Sequence, residues 1–138
     1  MAYVMVVDDN EDVAVAAAFA LRDEGHEAVT KADTTTALAE MQSRPPDLVI
    51  LDVMFPGDDF AGIELARTMC KCPGLNRIPI LMLTGINRKL ALKLSTYDID
   101  NSWLPVTDFL EKPVDFAMLA SRVTSMLQAA GSPPTRTS

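Results

Sequence analysis

The stretch Tyr3-Val4-Met5-Val6-Val7-Asp8-Asp9-Asn10 sets five apolar residues in a row against an abrupt polar stop. An apolar run with no helical period predicts a strand covered on both faces, and the acids mark where it leaves the core. Four more short runs follow the same rule with varying clarity. They are residues 27–30, weakly patterned; Leu48-Val49-Ile50-Leu51, ending in Asp52; Pro79-Ile80-Leu81-Met82-Leu83, ending at Thr84-Gly85; and Phe109-Leu110-Glu111 before Lys112-Pro113. Helical periodicity fills the gaps. Residues 12–24 carry Val13, Ala17, Ala20 and Leu21 at three- and four-residue spacing, with Gly25 placed as a left-handed stop. Residues 34–43 carry Ala37, Leu38 and Met41 on one face, with a hydroxyl as N-cap and Pro45-Pro46 as terminator. Helices are also predicted over residues 61–70, with Ile63, Ala66 and Cys70 in register, and, briefly, over 89–95, with a loop over 97–107. The last helix begins after a capping Asp115, with Phe116, Leu119, Ala120, Val123, Met126 and Leu127 in register. Five strands alternating with helices predict an α/β, doubly wound parallel sheet with helices on both faces.

With 138 residues, 49% of them apolar and 22% charged, the chain fits a single domain with its own core. The domain is expected to occupy residues 1–130, with 131–138 as a flexible C-terminal tail. Twelve basic against nineteen acidic residues leave a net charge of -7, which argues against nucleic acid or an anionic membrane as a direct partner. The longest apolar run, residues 13–21, is too short to span a bilayer, which needs ~20 residues. The acids before it have the wrong sign for a signal peptide. The protein is therefore expected to be soluble and cytoplasmic. Its two cysteines, Cys70 and Cys72, are too close in sequence to staple distant parts of a fold.

In open α/β sheets, ligands bind outside the carboxyl ends of the strands. The polar residues expected there are Asp8 and Asp9, Asp52, Thr84 and Lys112. Carboxylates that converge in one crevice resist ionisation unless a cation joins them, and a hard, oxygen-seeking ion such as Mg2+ suits that set. Asp52 is then both ligand and nucleophile toward phosphorus, with an aspartyl phosphate as product. The Lys112 ammonium and the Thr84 hydroxyl would neutralise phosphoryl oxygens.

These residues resemble the receiver domain of bacterial two-component response regulators over roughly residues 3–129. The resemblance rests on Val6-Val7-Asp8-Asp9, on Pro46-Asp47-Leu48-Val49-Ile50-Leu51-Asp52-Val53-Met54, on Thr84-Gly85, on Phe109-Leu110-Glu111-Lys112-Pro113, and on Gly25-His26-Glu27-Ala28-Val29. It implies a flavodoxin-like (βα)5 fold with strand order 2-1-3-4-5. It also implies that Asp52 is the phosphoacceptor, taking its phosphoryl group from a histidine kinase or a histidine phosphotransfer protein. Asp8, Asp9, Asp52 and the Met54 backbone carbonyl would hold Mg2+, and Thr84 and Lys112 would contact the phosphoryl oxygens. Thr84 and Phe109 would form the switch, and the peptide bond before Pro113 would be cis. The implied role is a stand-alone, phosphorylation-activated signalling switch in a phosphorelay. It is not an enzyme, although it assists its own phosphoryl transfer and dephosphorylation, and it would signal to a downstream protein partner. Two segments depart from the family pattern. The loop at residues 55–61 is about two residues longer than usual, and residues 98–105 replace the usual glycine-alanine-aspartate turn.

Other readings compete for the same residues. A receiver-like interaction module that works without phosphorylation would use the altered segments 53–62 and 86–107 as its surface. An aspartyl phosphatase resembling the haloacid dehalogenases wants a second acid two residues past its nucleophile, where Met54 stands. A flavin module is disfavoured by acids at the end of the first strand. His26 reads as a turn residue, Cys70 and Cys72 as inert thiols, and Trp103 as a plug on the domain's own core.

Overall fold

A computed structural model of the chain describes residues 2–52, 61–84, 108–111 and 115–130. Its five strands are β1 (Tyr3–Val7), β2 (Glu27–Lys31), β3 (Leu48–Asp52), β4 (Ile80–Thr84) and β5 (Asp108–Glu111). They form one sheet in the order β2-β1-β3-β4-β5, and every pairing is parallel. Four helices are described: α1 (Glu11–Asp23), α2 (Thr34–Ser43), α3 (Ala61–Lys71) and α4 (Phe116–Ala130). The expected short helix at 89–95, the loop at 97–107 and the tail at 131–138 lie outside the described residues.

The unbroken apolar runs are buried on both faces, every residue of β1 and β3 included. Alternation divides the core in two. Met5, Val7, Val49, Leu51 and Met82 point to one side, against Ala37 and Met41 of α2 and Leu65, Ala66 and Met69 of α3. Val4, Val6, Leu48, Ile50, Leu81 and Leu83 point to the other, against Ala14, Ala17, Ala18 and Leu21 of α1 and Leu119, Ala120, Val123 and Met126 of α4. α2 and α4 bury the stripes that their spacing predicts, whereas α1 centres its buried face on Ala14, Ala17, Ala18 and Leu21 with Val13 and Ala20 only partly covered. On α3 the predicted register is corrected: Leu65, Ala66 and Met69 face the core and Cys70 is exposed, because the sheet lies one residue around the helix from the expected stripe.

Helix ends are fixed by the signals expected of them, with one correction. At the α1 terminus Gly25 takes φ +92°, its N–H donates to the Arg22 carbonyl, and the His26 N–H reaches the Leu21 carbonyl. That left-handed turn is open to glycine at little cost. Asp115 caps α4 by accepting the Ala117 and Met118 N–H groups at 3.0 and 3.2 Å. The cap of α2 is not a hydroxyl but the carboxylate of Asp33, which accepts from the Thr36 N–H at 2.6 Å. A carboxylate is the better cap because it also carries the charge that the positive end of the helix dipole favours. These bonds hold the Asp33 carboxyl below the usual range.

At the amino ends of the strands, Asp47 fastens β1 to the start of β3. Its Oδ2 accepts the Tyr3 N–H at 2.8 Å, and its own N–H donates to the Tyr3 carbonyl at 2.7 Å. Arg44 makes a bidentate pair with Glu27 at 2.8 Å and lies 3.9 Å from the centre of the Tyr3 ring. The Glu27 carboxyl is held below its ordinary value mainly by the Arg44 hydrogen bond.

Candidate functional site

The register of the sheet brings the acids together. Val7 of β1 stands opposite Leu51 of β3, so the next residue on each strand, Asp8 and Asp52, emerges side by side. Asp8 and Asp52 are only 1% and 4% exposed, whereas Asp9 faces solvent. One carboxylate oxygen from each of Asp8, Asp9 and Asp52 lies within 4.8 Å of the others. At that separation two ionised carboxylates repel by roughly 3 kcal/mol at an effective dielectric constant of 20. A cation between them reverses the sign of that interaction. No imidazole or thiolate joins the cluster among the described residues, so the donor set is all oxygen and fits a hard divalent ion of the magnesium class.

Local hydrogen bonding explains why the acids hold their positions. The Asp8 N–H donates to the Lys31 carbonyl at 3.0 Å, which carries the β1–β2 ladder one residue past the strand. Asp8 Oδ1 accepts the Asn10 N–H at 2.9 Å. Asn10 in turn caps α1, its Oδ1 accepting the Val13 N–H at 3.2 Å. An aspartate that bonds the backbone two residues on closes a tight turn, and here that turn aims α1 at the site. Glu11 and Asp12 add negative charge to its first turn, where the helix dipole favours it. Asn10 did not stand out in the sequence as a site residue. The signal that could have found it is an asparagine placed directly before a helical period and two residues after an aspartate.

Of the residues expected to form the site, Asp8, Asp9 and Asp52 are brought together. Leu83 of β4 pairs with Asp52, so Thr84 follows at the same carboxyl end of the neighbouring strand. Phe109 lies on β5 opposite Met82. For Thr84 and Phe109 the described part is the backbone, and their side chains lie outside it. Met54, Lys112, Pro113 and both altered segments, except the start of α3, also lie outside the described residues.

His26 sits far from the acids, in the turn before β2, with its Nε2 3.2 Å from the Thr124 hydroxyl of α4. Of the thiols, Cys70 is exposed and Cys72 partly buried against the α2/α3 half of the core, and both are free. On α1, Val15 and Phe19 share an outer face four residues apart and are 53% and 72% exposed. Met118 is exposed near the start of α4, which packs beside α1.

The family profile described as response regulator receiver domain matches residues 4–124. The chain is 36% identical over 129 residues to the phosphate regulon transcriptional regulatory protein PhoB of Rhizobium meliloti (strain 1021), covering 92% of this chain and 52% of that protein. It is 34% identical over 125 residues to the response regulator PleD of Caulobacter vibrioides (strain NA1000 / CB15N), covering 91% of this chain and 26% of that one. Among solved structures, the receiver domain of NtrX from Brucella abortus superposes with a TM-score of 0.74 at 30% identity, covering 91% of this chain and 98% of that chain. The chain spans about half the length of the first curated relatives it matches.

Proposed function

Because this chain belongs to the response regulator receiver domain family, we propose that it is a phosphorylation-dependent signalling switch whose phosphoacceptor is Asp52. The observation that carries this reading is the convergence of Asp8, Asp9 and Asp52, two of them buried, at the carboxyl ends of adjacent strands. Asp8, Asp9, Asp52 and the Met54 carbonyl would hold Mg2+. When bound, the ion supplies charge neutralisation for the phosphoryl oxygens.

The chain's own residues do the rest. An Asp52 carboxylate oxygen attacks phosphorus in line, the P–N bond of a donor phosphohistidine breaks, and the imidazole leaves with the electron pair and takes up a proton from solvent. β3 fixes the attacking oxygen, so orientation contributes to the rate without movement of the backbone. The Thr84 hydroxyl and the Lys112 ammonium take the remaining phosphoryl oxygens. Movement of Thr84 toward them frees space for Phe109 to turn inward, which changes the face a downstream protein reads. The peptide bond before Pro113 is cis in this reading, residues 1–130 form the receiver unit, and 131–138 are its tail. The chain consumes no substrate of its own and is a phosphoacceptor, not a turnover enzyme.

The donor is a cytoplasmic histidine kinase or histidine phosphotransfer protein that docks on the exposed apolar side chains of α1. Val15, Phe19 and Met118 are the large apolar side chains exposed among the described residues, and they supply an uncharged contact on a chain of net charge -7. No described helix is long and apolar enough to cross a membrane. Phe19→Glu is expected to slow phosphotransfer from the protein donor at least tenfold, while phosphorylation by acetyl phosphate is unchanged. Equal loss from both donors would place Phe19 in the fold and not in docking.

The primary test is intact mass after incubation with acetyl phosphate, with and without Mg2+, beside Asp52→Ala. The expected result is one phosphoryl group, gained only with Mg2+ and absent from the variant. No gain from either acetyl phosphate or a protein donor would favour an interaction module that works without phosphorylation.

A further inference from the structure

A second concavity lies at the opposite end of the sheet from the acid cluster, and nothing in the signalling role uses it. It is open to solvent on one side and offers about 590 Å3, within the ~300–1,000 Å3 range of sites for drug-sized ligands. The starts of β1, β3 and β4 form one side and the last turns of α4 the other. Ile78, Pro79 and Leu127 give it an apolar wall. Its polar groups are His26, Asp47, Arg77, Thr124 and Gln128.

Two features narrow what fits. His26 Nε2 is engaged by the Thr124 hydroxyl, yet its Nδ1 is buried with no hydrogen-bond partner, the single such side-chain atom among the described residues. A buried polar atom left unmade costs about 1–3 kcal/mol, and because Nδ1 is closed off from solvent a ligand in the adjoining space meets it only if the ring turns. The lining also carries one anion and one cation. Asp47 uses Oδ2 for the Tyr3 N–H and keeps Oδ1 available to a ligand donor. Arg77 enters no ion pair among the described residues. A polyphosphate would meet Asp47 and a net charge of -7 with a single arginine to hold it, and a simple organic cation would meet Arg77. A ligand with both charges and an apolar body pairs each charged group and covers the apolar wall.

We propose that this cavity is a binding site for a small apolar zwitterion, an apolar dipeptide, with its ammonium on Asp47, its carboxylate on Arg77 and its side chains on Ile78, Pro79 and Leu127. The Gln128 amide takes the peptide group beside the His26 ring. Its volume suits a dipeptide better than a single amino acid.

His26 is the chain's one histidine, so its ring proton resonances report on the cavity without assignment ambiguity. The probe is leucyl-phenylalanine, titrated into the full chain beside its N-acetylated and C-amidated forms. The expected result is a saturable shift of the His26 resonance with the free dipeptide, weakened at least tenfold by either cap and by Arg77→Gln. Asp52→Ala should bind as well as the wild type, which separates this site from phosphorylation. Equal binding of all three peptides would mean an adventitious apolar contact only. An unmoved resonance would mean that solvent fills the cavity. Either outcome overturns the proposal.

Discussion

Saturating Mg2+ should raise the thermal unfolding midpoint of this chain by roughly 10 °C, and Asp8→Asn should lose most of that rise. An ion bound only by the folded state, at a hundredfold its Kd, adds about 2.7 kcal/mol, and each kcal/mol moves the midpoint of a domain this size by a few degrees. Asparagine at position 8 keeps an oxygen for the Asn10 N–H, so the turn into α1 survives. It removes one of three clustered charges, two of which are buried. Without metal the variant is therefore expected to melt at or above the wild type, because the carboxylate repulsion is relieved. With metal it should melt below. Scanning calorimetry with and without Mg2+ reads that reversal of order. An undiminished rise in the variant would place the ion away from the acid cluster.

The second large effect belongs to the sheet. Ile50 is fully buried on β3, the middle strand of five, and packs into the half of the core shared with α1 and α4. Ile50→Ala should cost about 3–4 kcal/mol, through lost transfer energy and the cavity left behind. Whole domains are stable by only ~5–15 kcal/mol, so a large part of the margin goes with one side chain. Urea denaturation is expected to show the midpoint falling with little change in slope. A loss below about 1 kcal/mol would mean that neighbouring side chains collapse into the space.

The sequence is legible where local pattern and tertiary environment agree. The α4 stripe from Phe116 to Leu127 and the limits of α2 are read correctly because one apolar face per helix is the whole message. The unbroken runs in β1 and β3 likewise announce burial on both sides. Asp52 belongs to β3 itself, one residue beyond the apolar run, because the strand pairing continues through it to Leu83. The convergence of Asp8 with Asp52 is a different kind of fact. It depends on β1 lying beside β3, a pairing across 44 residues that no periodicity encodes; the rule for open α/β sheets puts both acids at the carboxyl end, and the family resemblance alone supplied the strand order that makes them neighbours. The Asp33 cap was missed because hydroxyl and carboxylate caps compete at adjacent positions, and three threonines follow Asp33. The cavity beside His26 has no sequence signature at all, since its walls come from five separate places in the chain.

The order β2-β1-β3-β4-β5 also has a consequence for how the protein is made. Chains emerge from the ribosome at ~5–20 residues per second, so a strand can pair only with what has already appeared. β2 joins β1 on one side; after that β3 joins β1, β4 joins β3 and β5 joins β4, each adding to the edge left open by the one before. No strand has to be inserted between two that have already met. The nascent sheet therefore grows outward in the direction of synthesis, and β1 and β3 each have both of their strand neighbours before the last helix closes over one face.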